Sequence, residues 1–400
     1  MSAAVVTGIG VMAPNGLGAE DYWAATLAGK SGIDVISAYD VSGFPVRLAG
    51  EVKGFDPVER VPKRLRAQTD HMTHLALAAT DEALADAGVD PAGLSEYTMS
   101  VITANSSGGT VFGQRELQKL WAKGPLYVGA YMSVAWFYAA TTGQLSIRHG
   151  MRGPCGVIAA EQAGGLDAVG HARRQLRLGS RLVVTGGTDA SLSPAGLTAQ
   201  IATRLLSRGD DPATAYLPFS AGARGYVPGE GGAILIVEDA AAVTRRPYGR
   251  IAGYAATFDP PPGSPRPPTL RRAIESALAD AMVTPDGVDV VFADAYGVPE
   301  LDAAEAAALR EVFGPRRVPV TAPKTMTGRL YAGGAALDLA TALLAIRDQV
   351  IPPTVNVAEP LPAYELDLVC GEPREARLRT ALVVARGYGG FNAAAVVRDI

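Results

Sequence analysis

The sequence predicts an α/β protein made of a duplicated α/β unit, and three observations carry that expectation. Short β-branched runs alternate with alanine-rich segments of helical period along the whole chain. Each half holds a Gly-Gly-opened apolar helix about midway, Gly164-Gly165-Leu166-Asp167-Ala168-Val169 and then Gly333-Gly334-Ala335-Ala336-Leu337-Asp338. The 400 residues, 48% of them hydrophobic, are enough for one large two-part domain or two domains around a substantial core.

The elements follow in order. Residues 3–7 are a β-branched run ended by Gly8-Ile9-Gly10, read as a buried strand and a turn. Residues 70–87 have the helical period, 97–104 read as a strand, and Gly108-Gly109 open a helix reaching about Trp121. Residues 182–185 form a strand ended by Gly186-Gly187, and 232–237 another buried strand. Residues 245–250 are the seam, dividing the chain into halves 1–250 and 251–400. The proline-rich stretch 260–268 must be a loop. The second half repeats the rhythm: strands at 288–293, 318–322, 380–385 and 393–397, helices at 303–313 and 333–347.

Composition excludes several classes of function. A net charge of -4 argues against nucleic acid and anionic membrane as partners. Two cysteines, Cys155 and Cys370, make no disulfide scaffold and suit a reducing, cytoplasmic setting. The N-terminus has neither the basic nor the apolar region of a signal peptide, and no apolar run reaches membrane-spanning length. His71 and His74 share a helix face, but no third ligand is evident and no metal site is expected.

Several motifs in order resemble the β-ketoacyl synthases of the thiolase superfamily. They are Val6-Thr7-Gly8-Ile9-Gly10-Val11 with Pro14-Asn15-Gly16, and Trp23 with Gly29-Lys30-Ser31-Gly32-Ile33. Pro218-Phe219-Ser220 follows, with Arg224-Gly225-Tyr226-Val227-Pro228-Gly229-Glu230-Gly231. Pro323-Lys324-Thr325-Met326-Thr327-Gly328 and Gly387-Tyr388-Gly389-Gly390-Phe391-Asn392 complete the set. Within that family Ala160-Glu161-Gln162-Ala163-Gly164-Gly165-Leu166-Asp167-Ala168 is most similar to the chain-length factors, or ketosynthase-β subunits, of type II polyketide synthases. The resemblance spans essentially the whole chain. It implies a layered αβαβα fold, with two mixed five-stranded sheets around buried central helices.

The resemblance also implies what is missing. A decarboxylative condensing site uses a thiolate at a helix N-terminus, two imidazoles and an oxyanion hole. Gln162 stands where the family has its cysteine, and Tyr296 and Arg329 where it has its histidines; all four histidines, ending at His171, precede that region. An amide cannot carry an acyl group, and an arginine cannot act as a base. Asp302 and Glu305 resemble the family's acidic spacing, and Lys324 is expected to be a structural ion-pair residue. Gln162 is read either as a hydrogen-bonded filler of the vacated pocket or as a mimic of the acylated state that aids malonyl decarboxylation. Cys155 and Cys370 read as small buried apolar residues.

No cofactor is implied. The implied role is that of a non-catalytic subunit of an acyltransferase complex, paired with a catalytic ketosynthase and transiently with acyl carrier protein. A tunnel for the growing poly-β-ketone should be floored by Thr110, Gly113 and Leu117, at i, i+3 and i+7 on one helix face, with Ala195 and Gly196. Such small gate residues imply a chain longer than an octaketide. Tyr131, Val134, Trp136 and Phe137, within the apolar segment 128–140, are candidates for the pairing surface, although that segment reads equally well as a core element. The alternative functions are a malonyl carrier protein decarboxylase or priming subunit using Gln162, and a condensing enzyme using Cys155.

Overall fold

The computed structural model describes residues 3–261 and 263–400. Its two halves repeat one pattern. In the first, strands run in the order Ala4–Ala13, Gly231–Asp239, Leu182–Asp189, Met99–Ala104, Cys155–Ile158; the first two pairings are antiparallel and the last two parallel. In the second, Gly249–Phe258, Phe391–Arg398, Thr380–Gly387, Val290–Phe292 and Pro319–Thr321 follow the same order and senses. A short strand, Asp367–Leu368, extends the second half. The expected pair of five-stranded sheets is therefore present, but the two are not separate. Val5 pairs with Arg250 and Val6 with Gly249, which joins them into one large mixed sheet.

Two helices, Gly164–Arg177 and Ala332–Asp348, lie between the halves and touch both sets of strands and each other. The second is buried along nearly its whole length, as its alanine and leucine content requires of a helix with no solvent face. His71–Asp86 covers the outer face of the first sheet, and Leu270–Ala281 with Pro299–Phe313 the outer face of the second. These make the five layers. The central contact depends on the paired glycines. A Cβ on Gly165 would fall 2.7 Å from the Ala332 carbonyl oxygen, and one on Gly334 would fall 2.6 Å from Oε1 of Gln162.

The Gly8-Ile9-Gly10 turn does not exist: the strand runs through it to Ala13. The reason is close packing, since a Cβ on Gly10 would lie 1.9 Å from the carbonyl oxygen of Ala79 in the covering helix. Gly186-Gly187 likewise falls inside its strand, Leu182–Asp189, and does not end it. Strand Gly249–Phe258 and helices Ala140–His149, Pro194–Ala202 and Leu270–Ala281 were not expected from the sequence. Segment 128–140 is not a core element; it is a short helix, Met132–Ala135, flanked by exposed aromatic residues.

Candidate functional site

Gln162 sits in a single 3-10 turn, Glu161–Ala163, that feeds the central helix Gly164–Arg177. Glu161 is in the left-handed region at φ 50°, which turns the chain sharply there. Its carboxylate accepts the backbone N–H of Tyr388 at 2.9 Å and lies 3.8 Å from Nη2 of Arg329. This ties the glycine loop 387–390 to the turn. Gln162 is fully buried, but it is not the hydrogen-bonded filler expected: neither amide atom has a partner among the described residues, and the amide packs on Gly334.

Arg329 and Tyr296 meet directly. The guanidinium carbon stands 3.7 Å from the centroid of the Tyr296 ring, and the Tyr226 ring is 5.4 Å away. Nη1 of Arg329 donates to Oδ2 of Asp294 at 2.9 Å, and Nη2 donates to the Arg386 carbonyl at 2.9 Å. Burial pulls the guanidinium down, but Asp294, with Tyr296 and Glu161, outweighs it and holds the cation charged. Burial also pushes the Tyr296 phenol well above its ordinary value, and pushes the Glu161 carboxyl up against the pull of Arg329. The loop carrying Tyr296 is built by helix Pro299–Phe313. Glu305 accepts the backbone N–H groups of Asp294 and Ala295 at 2.7 and 2.9 Å, and Asp302 those of Gly297 and Phe219 at 2.9 and 2.8 Å. Lys324 is an ion-pair residue: its ammonium lies 2.7 Å from Asp338 and donates to the carbonyls of Ala293 and Asp294. The cluster thus offers amide, guanidinium, phenol, ammonium and carboxyl groups, and none of these is an acyl-accepting thiolate or a neutral imidazole.

The five expected tunnel residues come together. Thr110, Gly113, Leu117, Ala195 and Gly196 line one cavity of about 930 Å³, together with Trp121 from the same helix as the first three and with Met132 and Trp136. Asp70 sets the helix that carries the first three, because its carboxylate caps helix His71–Asp86 through Met72 N–H and also accepts Phe112 N–H at 2.6 Å. Gln114 fixes the facing helix, its Oε1 accepting the Ala195 N–H at 2.8 Å. The cavity opens on an apolar surface. Tyr131, Val134, Trp136 and Phe137 are each at least 41% exposed, and Leu126 is 96% exposed. Among the wall residues sequence reasoning missed are Ser106, Ser191 and Tyr331, which come from other elements and share no periodicity with the helix.

Cys155 is exposed, not buried, because it opens an edge strand of the sheet; its thiol lies 3.5 Å from the Gly153 carbonyl. Cys370 is half-buried, and burial pushes its thiol up. His71 stands 3.4 Å from Glu230 and His149 3.5 Å from Asp81. Among the described residues no group of His, Cys, Asp and Glu could hold a metal ion, and no helix is long and apolar enough to cross a membrane.

Comparison with known proteins adds the following. Residues 1–242 match the β-ketoacyl synthase N-terminal domain, and 248–358 the β-ketoacyl synthase C-terminal domain. The chain is 62% identical to the tetracenomycin polyketide synthase ketoacyl synthase beta subunit of Streptomyces glaucescens, over 98% of each chain. It is similar to the solved ishigamide ketosynthase/chain length factor, with a TM-score of 0.91 at 26% identity, covering 100% of this chain and 99% of that one. It is also similar to a chain from a type II acyl-carrier protein in complex with its ketosynthase bound to the hexaketide. The TM-score there is 0.88 at 25% identity, with both chains fully covered.

Proposed function

The chain belongs to the β-ketoacyl synthase family, among the chain-length factors (ketosynthase-β subunits) of type II polyketide synthases, and from that premise we propose that it sets chain length for a catalytic ketosynthase while doing no condensation itself. The observation that carries the reading is the convergence of Thr110, Gly113, Leu117, Ala195 and Gly196 on one cavity that opens at an exposed apolar face. Paired through that face with a catalytic ketosynthase, the cavity receives the far end of a poly-β-ketone as it grows on acyl carrier protein from malonyl units. The lack of an aromatic side chain at Thr110, Gly113, Leu117, Ala195 and Gly196 suits a chain longer than an octaketide.

Gln162, Tyr296 and Arg329 occupy the positions where the family resemblance puts the cysteine and the two histidines. Arg329 supports catalytic silence most directly: it is charged, stacked on Tyr296 and ion-paired with Asp294, so it can neither accept a proton nor move to make room. The alternative of a decarboxylase using Gln162 is opposed by burial, because its amide is closed off from solvent against Gly334.

The test is product mass from a reconstituted mixture of a type II ketosynthase, malonyl carrier protein and this chain. Product should require the chain, and Thr110→Phe or Ala195→Trp should shorten it by one or more ketide units. Unchanged mass with both variants would overturn the reading. Release of carbon dioxide from malonyl carrier protein by this chain alone, lost in Gln162→Ala, would establish the alternative.

A further inference from the structure

A second, smaller cavity of about 260 Å³ lies beside the first, lined by Ala159, Glu161, Thr203, Tyr226 and Tyr388 around the Gln162 turn. The two cavities share two residues, Ser106 and Tyr331. These come from distant parts of the chain, and one carboxylate clamps them: Oδ2 of the fully buried Asp189 accepts the N–H of Ser106 at 3.0 Å and that of Ala332 at 3.2 Å. Tyr331 precedes Ala332 with φ 51° and ψ -133°, a strained conformation that side-chain-bearing residues rarely adopt. The surrounding structure holds that strain and with it the direction in which the tyrosine leaves the helix start. Ser106 Oγ is buried with no hydrogen-bond partner among the described residues.

We propose that Tyr331, backed by Ser106, is the inner stop of the chain-holding cavity and a determinant of product length. It keeps the growing chain out of the space around the former nucleophile turn. This rests on the chain-length reading above. With Tyr331 cut back, the neighbouring volume joins the first and the chain has somewhere further to go.

The experiment uses the complex of this chain with a type II ketosynthase, supplied with malonyl carrier protein and read by product mass. Tyr331→Ala should lengthen the product by one or more ketide units, while Tyr331→Phe, which keeps the ring as a wall, should hold the parental length. Parental or shorter product from Tyr331→Ala, while Thr110→Phe still shortens, would overturn this proposal and leave the chain-length reading standing. No change from any of these variants would overturn both. If Tyr331→Ala does not assemble with the ketosynthase, Ser106→Leu decides. Bulk added at the same wall should shorten the product, and parental length from it would overturn the proposal.

Discussion

Arg329 shows how a charge is held in a fully buried site. Its guanidinium has given up water and in return stacks on Tyr296, pairs with Asp294 and donates to the Arg386 carbonyl. Removing one member of a buried ion pair is more costly than never having had it, because the other charge stays behind. Asp294 is fully buried and would be that remainder. Arg329→Met should therefore destabilise the chain by about 3–5 kcal/mol, read as the denaturation midpoint in guanidinium chloride. Tyr296→Leu, which removes the ring face together with its buried packing against Tyr226, should lose about 0.5–3 kcal/mol. An Arg329→Met midpoint equal to the parent's would mean that Asp294 finds another partner. That an arginine stands at 329 was legible in the lysine motif. Its stacking on Tyr296 was not, because the two come from separate loops: Asp302 and Glu305 fix the Tyr296 loop, and Asp294 in that loop holds Arg329 against it.

The two central helices carry the packing argument. Each was legible as a Gly-Gly-opened apolar run, but why each needs its glycines appears only in the contact between them. At Gly165 a Cβ would press on backbone of the other helix, the Ala332 oxygen and the Ala336 nitrogen, both at 2.7 Å. Backbone in a packed core cannot step aside, so Gly165→Ala should cost about 1–3 kcal/mol. At Gly334 the obstacle is the Gln162 amide, a side chain. Gly334→Ala should lose stability alone and regain part of it with Gln162→Ala, a favourable coupling of about 0.5–3 kcal/mol. Strictly additive losses in a double-mutant cycle would show that the two do not compete for the same space. The same physics explains the misread turns at Gly8-Ile9-Gly10 and Gly186-Gly187. Glycine signals a close approach as readily as a turn, and one chain's sequence does not say which. Helix Leu270–Ala281 is a different case. Its buried Leu270, Ala273, Ile274, Ala277, Leu278 and Ala281 follow the 3.6-residue period, so the helical signal is present in the sequence behind the proline-rich loop.

On the scale of the whole molecule, the fold is a duplicated unit with one apolar side left open. Leu126, Tyr131, Val134, Trp136 and Phe137 are exposed along one stretch of chain, next to the exposed Trp121 and the mouth of the larger cavity. Soluble monomers rarely leave a patch of this kind uncovered, which supports the proposed pairing surface. Its aromatic composition is that of the buried centre of a protein–protein contact. Burying a carboxylate there with no partner charge is strongly unfavourable. Val134→Asp should therefore abolish pairing with the ketosynthase by size-exclusion light scattering. Val134 is 44% exposed in the single chain, so its loss should leave the chain's own unfolding transition within about 0.5 kcal/mol of the parent. The two readouts separate the possibilities. Loss of pairing with an unchanged transition assigns the patch to the partner, whereas an unchanged complex would require the ketosynthase to dock on another face, leaving the larger cavity open to solvent at its mouth.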